Sequence, residues 1–418
     1  MLIVPVLLAS VPGGTASADP MPTAGLTVHD FVTGLPDVPP PSPFAGVGPF
    51  GLVFDGAHHL LVSDAANLGF YSFGPDGATG PSPVTTGIVQ TGLAFSKTGE
   101  LFAARYQAGD IDQIDPASGA LIRQLNPPGT TYPCVLALAT DPISGDLFFG
   151  QPNSGPVCPG APALTRVENP TSAHPTFVTY VATPGTYTAG LTFGPDGTLY
   201  AVQQGPSIAC AARISGTRSP SPPTVTNIAC FPNFGIYAGI DTIALSARPR
   251  HHPTLFVAGP DGTITKVDQS TTPATLTPIV TGGTRTDGMV VGPDGCLYAT
   301  QSTTIEKITN ANGTCSFVAA SVLPALRLRP RHATRERLGR PVTIMAKITK
   351  RPDRRTTPVA FTVTGANPST RTVTTNSAGV ARFTYTGNHP GTDTITAGAN
   401  VGTIILSSNT TTVDWQLP

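Results

Sequence analysis

Seven polar residues stand at matching points of a repeated pattern, and their types suit them to hold a cation or a polar ligand. Asp64, Arg105, Gln151, Gln203 and Gln301 each close a short apolar stretch, while Asp241 and Asp287 stand at the opening of another. Carboxylate and amide oxygens are what calcium and magnesium take as ligands. Asp64, Asp241 and Asp287, with the glutamines, are therefore the candidate cage for a divalent cation, and the whole set is the candidate ligand-binding mouth. Other chemistries find less support. His58-His59 and His251-His252 would suit zinc, copper or nickel, but they stand in turns at the other end of the repeat and in units that are not neighbours, so they read as turn residues. There is no G-x-S-x-G stretch for a serine nucleophile.

The pattern that carries these residues is a strand, a tight turn and a second strand. It begins at Gly51, Gly92, Leu136, Gly190, Asp241 and Gly288, and two of its copies are nearly identical: "GLTFGPDGTLYAVQ" and "GMVVGPDGCLYATQ". Intervals of roughly 41 to 54 residues mark stacked or radial units, none able to bury its own apolar face. Each unit divides into four short strands, A to D, separated by Gly, Pro, Asn and Ser, with apolar and polar residues alternating in B and C. Six such units predict an all-β, six-bladed β-propeller. "GPDG" itself occurs at Gly74, Gly194, Gly259 and Gly292. Only the second and fourth fall in an A–B turn, so the tetrapeptide is turn chemistry, with Pro presetting φ and Asp-Gly tolerating left-handed backbone. In this arrangement the ends of the B strands and the starts of the A strands share one face, which is what gathers the seven candidates at one mouth.

The same geometry bears on six cysteines, an even count without metal-type C-x-x-C spacing. They fall as three close pairs, Cys134 with Cys158, Cys210 with Cys230 and Cys296 with Cys315. Fifteen connectivities are open in principle, and each near-neighbour pair is co-facial within one blade. Closure of the ring has two candidates. Residues 26–34, "LTVHDFVTG", and residues 315–321, "CSFVAAS", each fit the outer strand of the last blade.

Composition agrees with a folded β protein exported from the cell. Of 418 residues, 39% are hydrophobic and 11% charged, with 45 Gly and 45 Pro. The zero net charge hides two opposite parts: residues 1–324 hold 11 basic and 20 acidic side chains, and residues 325–418 hold 13 and 4, giving −9 and +9. Residues 1–18 read as a signal peptide ending in the small-residue pattern "ASA", and no later run reaches membrane-spanning length. Secretion or attachment to the cell wall is expected, with no transmembrane segment after cleavage, no nucleic-acid partner and a monomeric state.

The phrase "GPDGTLYAVQ" and its relatives resemble the NHL-like propellers and those of the gluconolactonase and streptogramin-lyase type, over about residues 26–322. A gluconolactonase-like activity implies a hard-cation cage that polarises a lactone carbonyl. A streptogramin-lyase-like one implies a His and Glu near the channel for proton abstraction, and no such constellation falls on these positions. Residues 341–418, with "PVAFTVTGANPSTRTVTTNSAGVARFTYTG", resemble bacterial Ig-like domains of the invasin and intimin type, which implies a spacer or adhesive stalk. Alternation of Thr, Val and aromatics between regular turns independently predicts a small β-sandwich there. Residues 323–340 form a basic linker whose "ALRLRP" supplies a first strand with outward arginines. The domain plan is thus 1–18, 19–322, 323–340 and 341–418. The function expected is recognition of an extracellular ligand, whether carbohydrate, peptide, small molecule or cell-envelope polymer, with a metal-assisted lactonase or lyase as the alternative.

Overall fold

The computed structural model describes residues 19–40, 45–65, 68–87, 90–106, 108–151, 163–181, 187–205, 207–219, 221–232, 240–247, 252–319, 323–330, 334–350, 355–401 and 404–417. The expected signal peptide, Cys158 and His251 lie outside them. Among the described residues every regular element is a strand, and no helix is long and apolar enough to cross a membrane. The chain divides into two compact units, the second comprising Ser321–Pro418 together with the short segments Phe54–His59 and Lys97–Gly99 and the first the remainder.

Among the described residues the first unit contains six sheets of four or five strands, antiparallel except where Leu26–Thr33 pairs in parallel with Ala78–Thr79. Their A strands are Pro49–Phe54, Gln90–Phe95, Leu138–Thr140, Tyr187–Phe193, Thr242–Ser246 and Met289–Val291, and their B strands are Leu60–Asp64, Leu101–Arg105, Leu147–Gln151, Leu199–Gln204, Thr254–Ala258 and Leu297–Thr300. One cavity of about 70 Å³ is lined by residues at or beside all six A strands, among them Leu52, Leu93, Leu138, Leu191, Ile243 and Met289. The glycine that opens most repeats has its reason here. A Cβ on Gly288 would fall inside the carbonyl oxygen of Phe50, joining the last sheet to the first, and one on Gly51 would strike the carbonyl of Thr91 in the second sheet. Only a residue without a side chain lets the inner strands come this close.

The expected alternation in the B strands does not appear, and the correction has a simple cause. Leu199–Gln204 and Thr254–Ala258 are buried at every position, because each sheet has a neighbour on both faces. Phe148 packs with Phe193 and Leu199 of the following sheet, while Phe149 packs with Phe102 and Ile111 of the preceding one. Phe256 turns likewise toward Leu297 and Ile308. A fully buried side chain of this size contributes about 1.5–3 kcal/mol, and a strand buried on both faces reads as a continuous apolar run rather than an alternating one.

The surplus outer strand is resolved. Leu26–Thr33 pairs antiparallel with Thr304–Asn310, Leu26 opposite Asn310 and Thr33 opposite Thr304, so the outer strand of the last sheet comes from the beginning of the chain. Residues 315–319 form no strand; Val318 instead exchanges hydrogen bonds with Ala247 and the Ser246 hydroxyl. Cys210 and Cys230 are directly opposed in the fourth sheet, and their disulfide has a Cα–Cα distance of 4.0 Å. Cys296 and Cys315 form a second disulfide, and Cys134 is disulfide-bonded as well. Such bonds persist in oxidising compartments.

Among the described residues the second unit has two sheets. One orders Ala325–Arg329, Pro341–Thr349 and Val380–Thr386; the other contains Thr334–Arg337, Thr411–Gln416, Gly391–Val401, Pro358–Gly365 and Ser369–Thr374, with Ile404–Ser407 paired to Gly391–Val401. Here period-two alternation is plain: Val342, Ile344, Ala346 and Ile348 are buried and the residues between them are not. Leu326 and Leu328 point inward while Arg327 and Arg329 face solvent. Asp393, fully buried, accepts hydrogen bonds from Trp415 Nε1 at 2.8 Å, the Asn367 backbone amide at 2.7 Å and Tyr385 Oη at 3.3 Å.

Candidate functional site

The turns before the A strands and the ends of the B strands lie together at one end of the first unit's inner strands. Asp241 and Asp287, just ahead of the fifth and sixth A strands, both line the axial cavity. Between them stands Arg285. Its Nε donates to both Asp287 carboxylate oxygens at 2.7 Å, and a terminal nitrogen lies 3.3 Å from Asp241 Oδ2. Backbone also holds the pair: the Asp241 amide donates to the Ala258 carbonyl, and the Asp287 and Gly288 amides both donate to Thr300 Oγ1. Burial, and then the charge of Asp287, push the Asp241 carboxyl well above the usual carboxylate range, with Arg285 opposing them.

The other candidates take separate places. Asp64 closes its strand fully buried. Arg105 is tied down within its own sheet by ion pairs of 2.6 Å to Asp110 and 2.7 Å to Asp112; burial raises the Asp112 carboxyl to about 6 against the pull of that guanidinium. Gln151 accepts from Thr165 Oγ1 at 3.5 Å. Gln203 donates to Thr188 Oγ1 at 2.6 Å. Gln301 accepts from the Thr284 amide and hydroxyl and donates to Thr286 Oγ1. The structure therefore joins Asp241 and Asp287 through Arg285, and Asp64 is not part of a three-ligand group with them. Among the described residues the one group whose three ligand atoms lie within 4.8 Å of one another is Asp294, Cys296 and Cys315, and both of its cysteines are spent in a disulfide. The expected A–B turn role of the first histidine pair fits His59, whose Nδ1 lies 3.0 Å from Asp55 Oδ2.

Two participants escape a reading of the sequence by type and spacing. Arg285 is one; asking what neutralises two aspartates at the buried end of neighbouring strands would have pointed to it in "TRTDG". Gln90, the first residue of the second A strand, is the other. It is 1% exposed, and neither amide atom has a hydrogen-bond partner. Gln203 Oε1 and Asp241 Oδ1 are likewise buried without partners.

No family model matches the chain, and no curated protein matches it. Among solved structures, a gluconolactonase from Xanthomonas campestris is 15% identical with a TM-score of 0.52, covering 69% of this chain and 91% of its own. A luciferin-regenerating enzyme is 14% identical with a TM-score of 0.51, covering 72% and 100%. These likenesses establish a β-propeller fold of the gluconolactonase type for the first unit, and at such identity they establish the fold alone.

Proposed function

We propose that the chain is a secreted recognition protein: its six sheets act as the blades of one closed propeller, the channel mouth binds a polar extracellular ligand, and residues 341–418 form an Ig-like sandwich serving as spacer or anchor. The observation that carries this reading is a set of buried, unpartnered polar atoms: on Gln90 at the start of an A strand, on Gln203 near the end of a B strand, and on Asp241 at the axial cavity. Orphaned buried donors and acceptors are costly, and a ligand rich in hydroxyls would satisfy both the amides and the carboxylate. A carbohydrate fits that description best. The approach of Gly288 to Phe50 supports closure of the ring, and the disulfides support an oxidising compartment.

The metal-assisted lactonase or lyase reading has less behind it. The guanidinium of Arg285 already supplies the positive charge that Asp241 and Asp287 share, where a gluconolactonase-like site would hold its cation. The Asp64, Asp241 and Asp287 cage remains the arrangement that reading requires. An array of polysaccharides and cell-wall fragments separates the two. Retention of a glycan that is weakened by Gln203→Ala and Arg285→Met supports recognition. Lactone hydrolysis that needs calcium or magnesium and is lost in Asp64→Ala, Asp241→Ala and Asp287→Ala overturns it.

A further inference from the structure

A second cavity, about 420 Å³, lies beside the last sheet and shares no lining residue with the axial one. Its wall includes Asp19, Asp30, Glu306, Thr284, Gln301 and Thr304, and no Lys, Arg or His is among the lining residues. Three carboxylates facing one space without a cation invite a positively charged occupant. A further observation points to a ligand rather than a solvated acidic patch. Glu306 is 4% exposed, and its Oε2 is buried with no hydrogen-bond donor reaching it; only Oε1 is served, by Thr304 Oγ1 at 3.1 Å.

The strand order creates this arrangement. Glu306 sits opposite Ala299 on its inner side and opposite Asp30 on its outer side, so the N-terminal strand brings a second carboxylate against a buried first. Asp19 adds a third from the segment before it. Burial, then the charge of Asp30, then a hydrogen bond between the Asp30 and Glu306 carboxyls and the charge of Asp19, hold the Glu306 carboxyl up at about 7, with only the Thr304 hydroxyl pulling the other way. The three do not converge as metal ligands do, since no group containing them has its ligand atoms within 4.8 Å of one another. Hard cations need that convergence. An ammonium group need donate only to the unpartnered Glu306 oxygen, with the other two carboxylates attracting it at longer range.

We infer that this pocket is a site for a primary ammonium group, supplied either by a small exogenous amine or by the chain's own α-amine if processing makes Asp19 the first residue. This inference does not rest on the function proposed for the mouth. Calorimetric titration of the full chain with 1,4-diaminobutane and with uncharged 1,4-butanediol at pH 8 tests it. The diamine is expected to bind and the diol not. Glu306→Gln should weaken diamine binding at least tenfold, and a shift to pH 5.5, which protonates Glu306, should weaken it as well. A form beginning at Asp19 distinguishes the sources. Loss of diamine binding there, restored by acetylating the α-amine, assigns the pocket to the chain's own terminus, whereas retained binding assigns it to an exogenous amine. Absence of diamine binding in both forms, equal binding by Glu306→Gln, or tighter binding of calcium than of diamine overturns the inference.

Discussion

Arg285 is the side chain on which the channel mouth turns. It stands between Asp241 and Asp287, whose side chains are 5% and 2% exposed, and removing one partner from a buried ion pair costs more than forming the pair gains. Arg285→Met should therefore destabilise the first unit by about 3 kcal/mol, read as a lower midpoint in denaturant. Because burial and Asp287 already favour the protonated form of Asp241, the defect should shrink at low pH, where the carboxyl is neutral, and Asp241→Asn should recover part of it. A defect of equal size at pH 4 and pH 8 would contradict this account. Glu306 gives the second pH test. A carboxyl held at about 7, against 4.5 for a free glutamate, binds its proton more tightly in the folded protein. The stability it carries is therefore present below pH 4.5 and lost as the pH rises through 7. Glu306→Gln is uncharged throughout, so the melting temperature of the variant should gain on that of the native protein between pH 5 and pH 8. An unchanged difference would show that Glu306 does not titrate in this window.

The strands themselves explain which features could be read in advance. The A–B hairpins were legible because their turns are local: Gly194 and Gly292 each begin a tight turn closed by a hydrogen bond to Thr198 or Cys296. The Cys210 and Cys230 pair was legible for a related reason, being a contact across one hairpin. Removing that disulfide, which closes a separation of 20 residues, should cost about 3 kcal/mol, seen as a lower midpoint in Cys210→Ser/Cys230→Ser with native secondary structure retained. Strand pairing between Leu26–Thr33 and Thr304–Asn310 was not decidable, since residues 315–321 offered equivalent local chemistry and only closure over some 280 residues selects between them. The facing of Asp30 and Glu306 follows from that pairing and was hidden with it. The opening glycines were visible as a repeat, but their reason lies in neighbouring sheets. Gly288→Ala should be destabilising by about 3 kcal/mol or more through overpacking against Phe50. Gly74→Ala, with nothing within 4 Å of the added carbon, should be nearly silent. Equal behaviour of the two would remove the steric explanation.

At the scale of the whole molecule, each unit has its own core and its own style of burial. The first hides its inner strands on both faces between sheets, so its register is visible only through turns. The second alternates residue by residue, so its strands could be read directly from Thr, Val and aromatic spacing. Separate cores imply separate unfolding transitions, and the composition supplies a reporter for one of them. Trp415 is the only tryptophan of the chain. It is 2% exposed in the second unit and donates its indole N–H to Asp393, the fully buried carboxylate that Asn367 and Tyr385 also reach. Asp393→Ala would leave those donors without their acceptor, a loss of about 3 kcal/mol or more. Tryptophan fluorescence should then report a melting transition shifted down by ten degrees or more, while a reporter confined to the first unit, such as the reactivity of Cys210 and Cys230 toward a reductant on heating, should keep its native midpoint. A common shift of both signals would show that the two cores melt as one cooperative body.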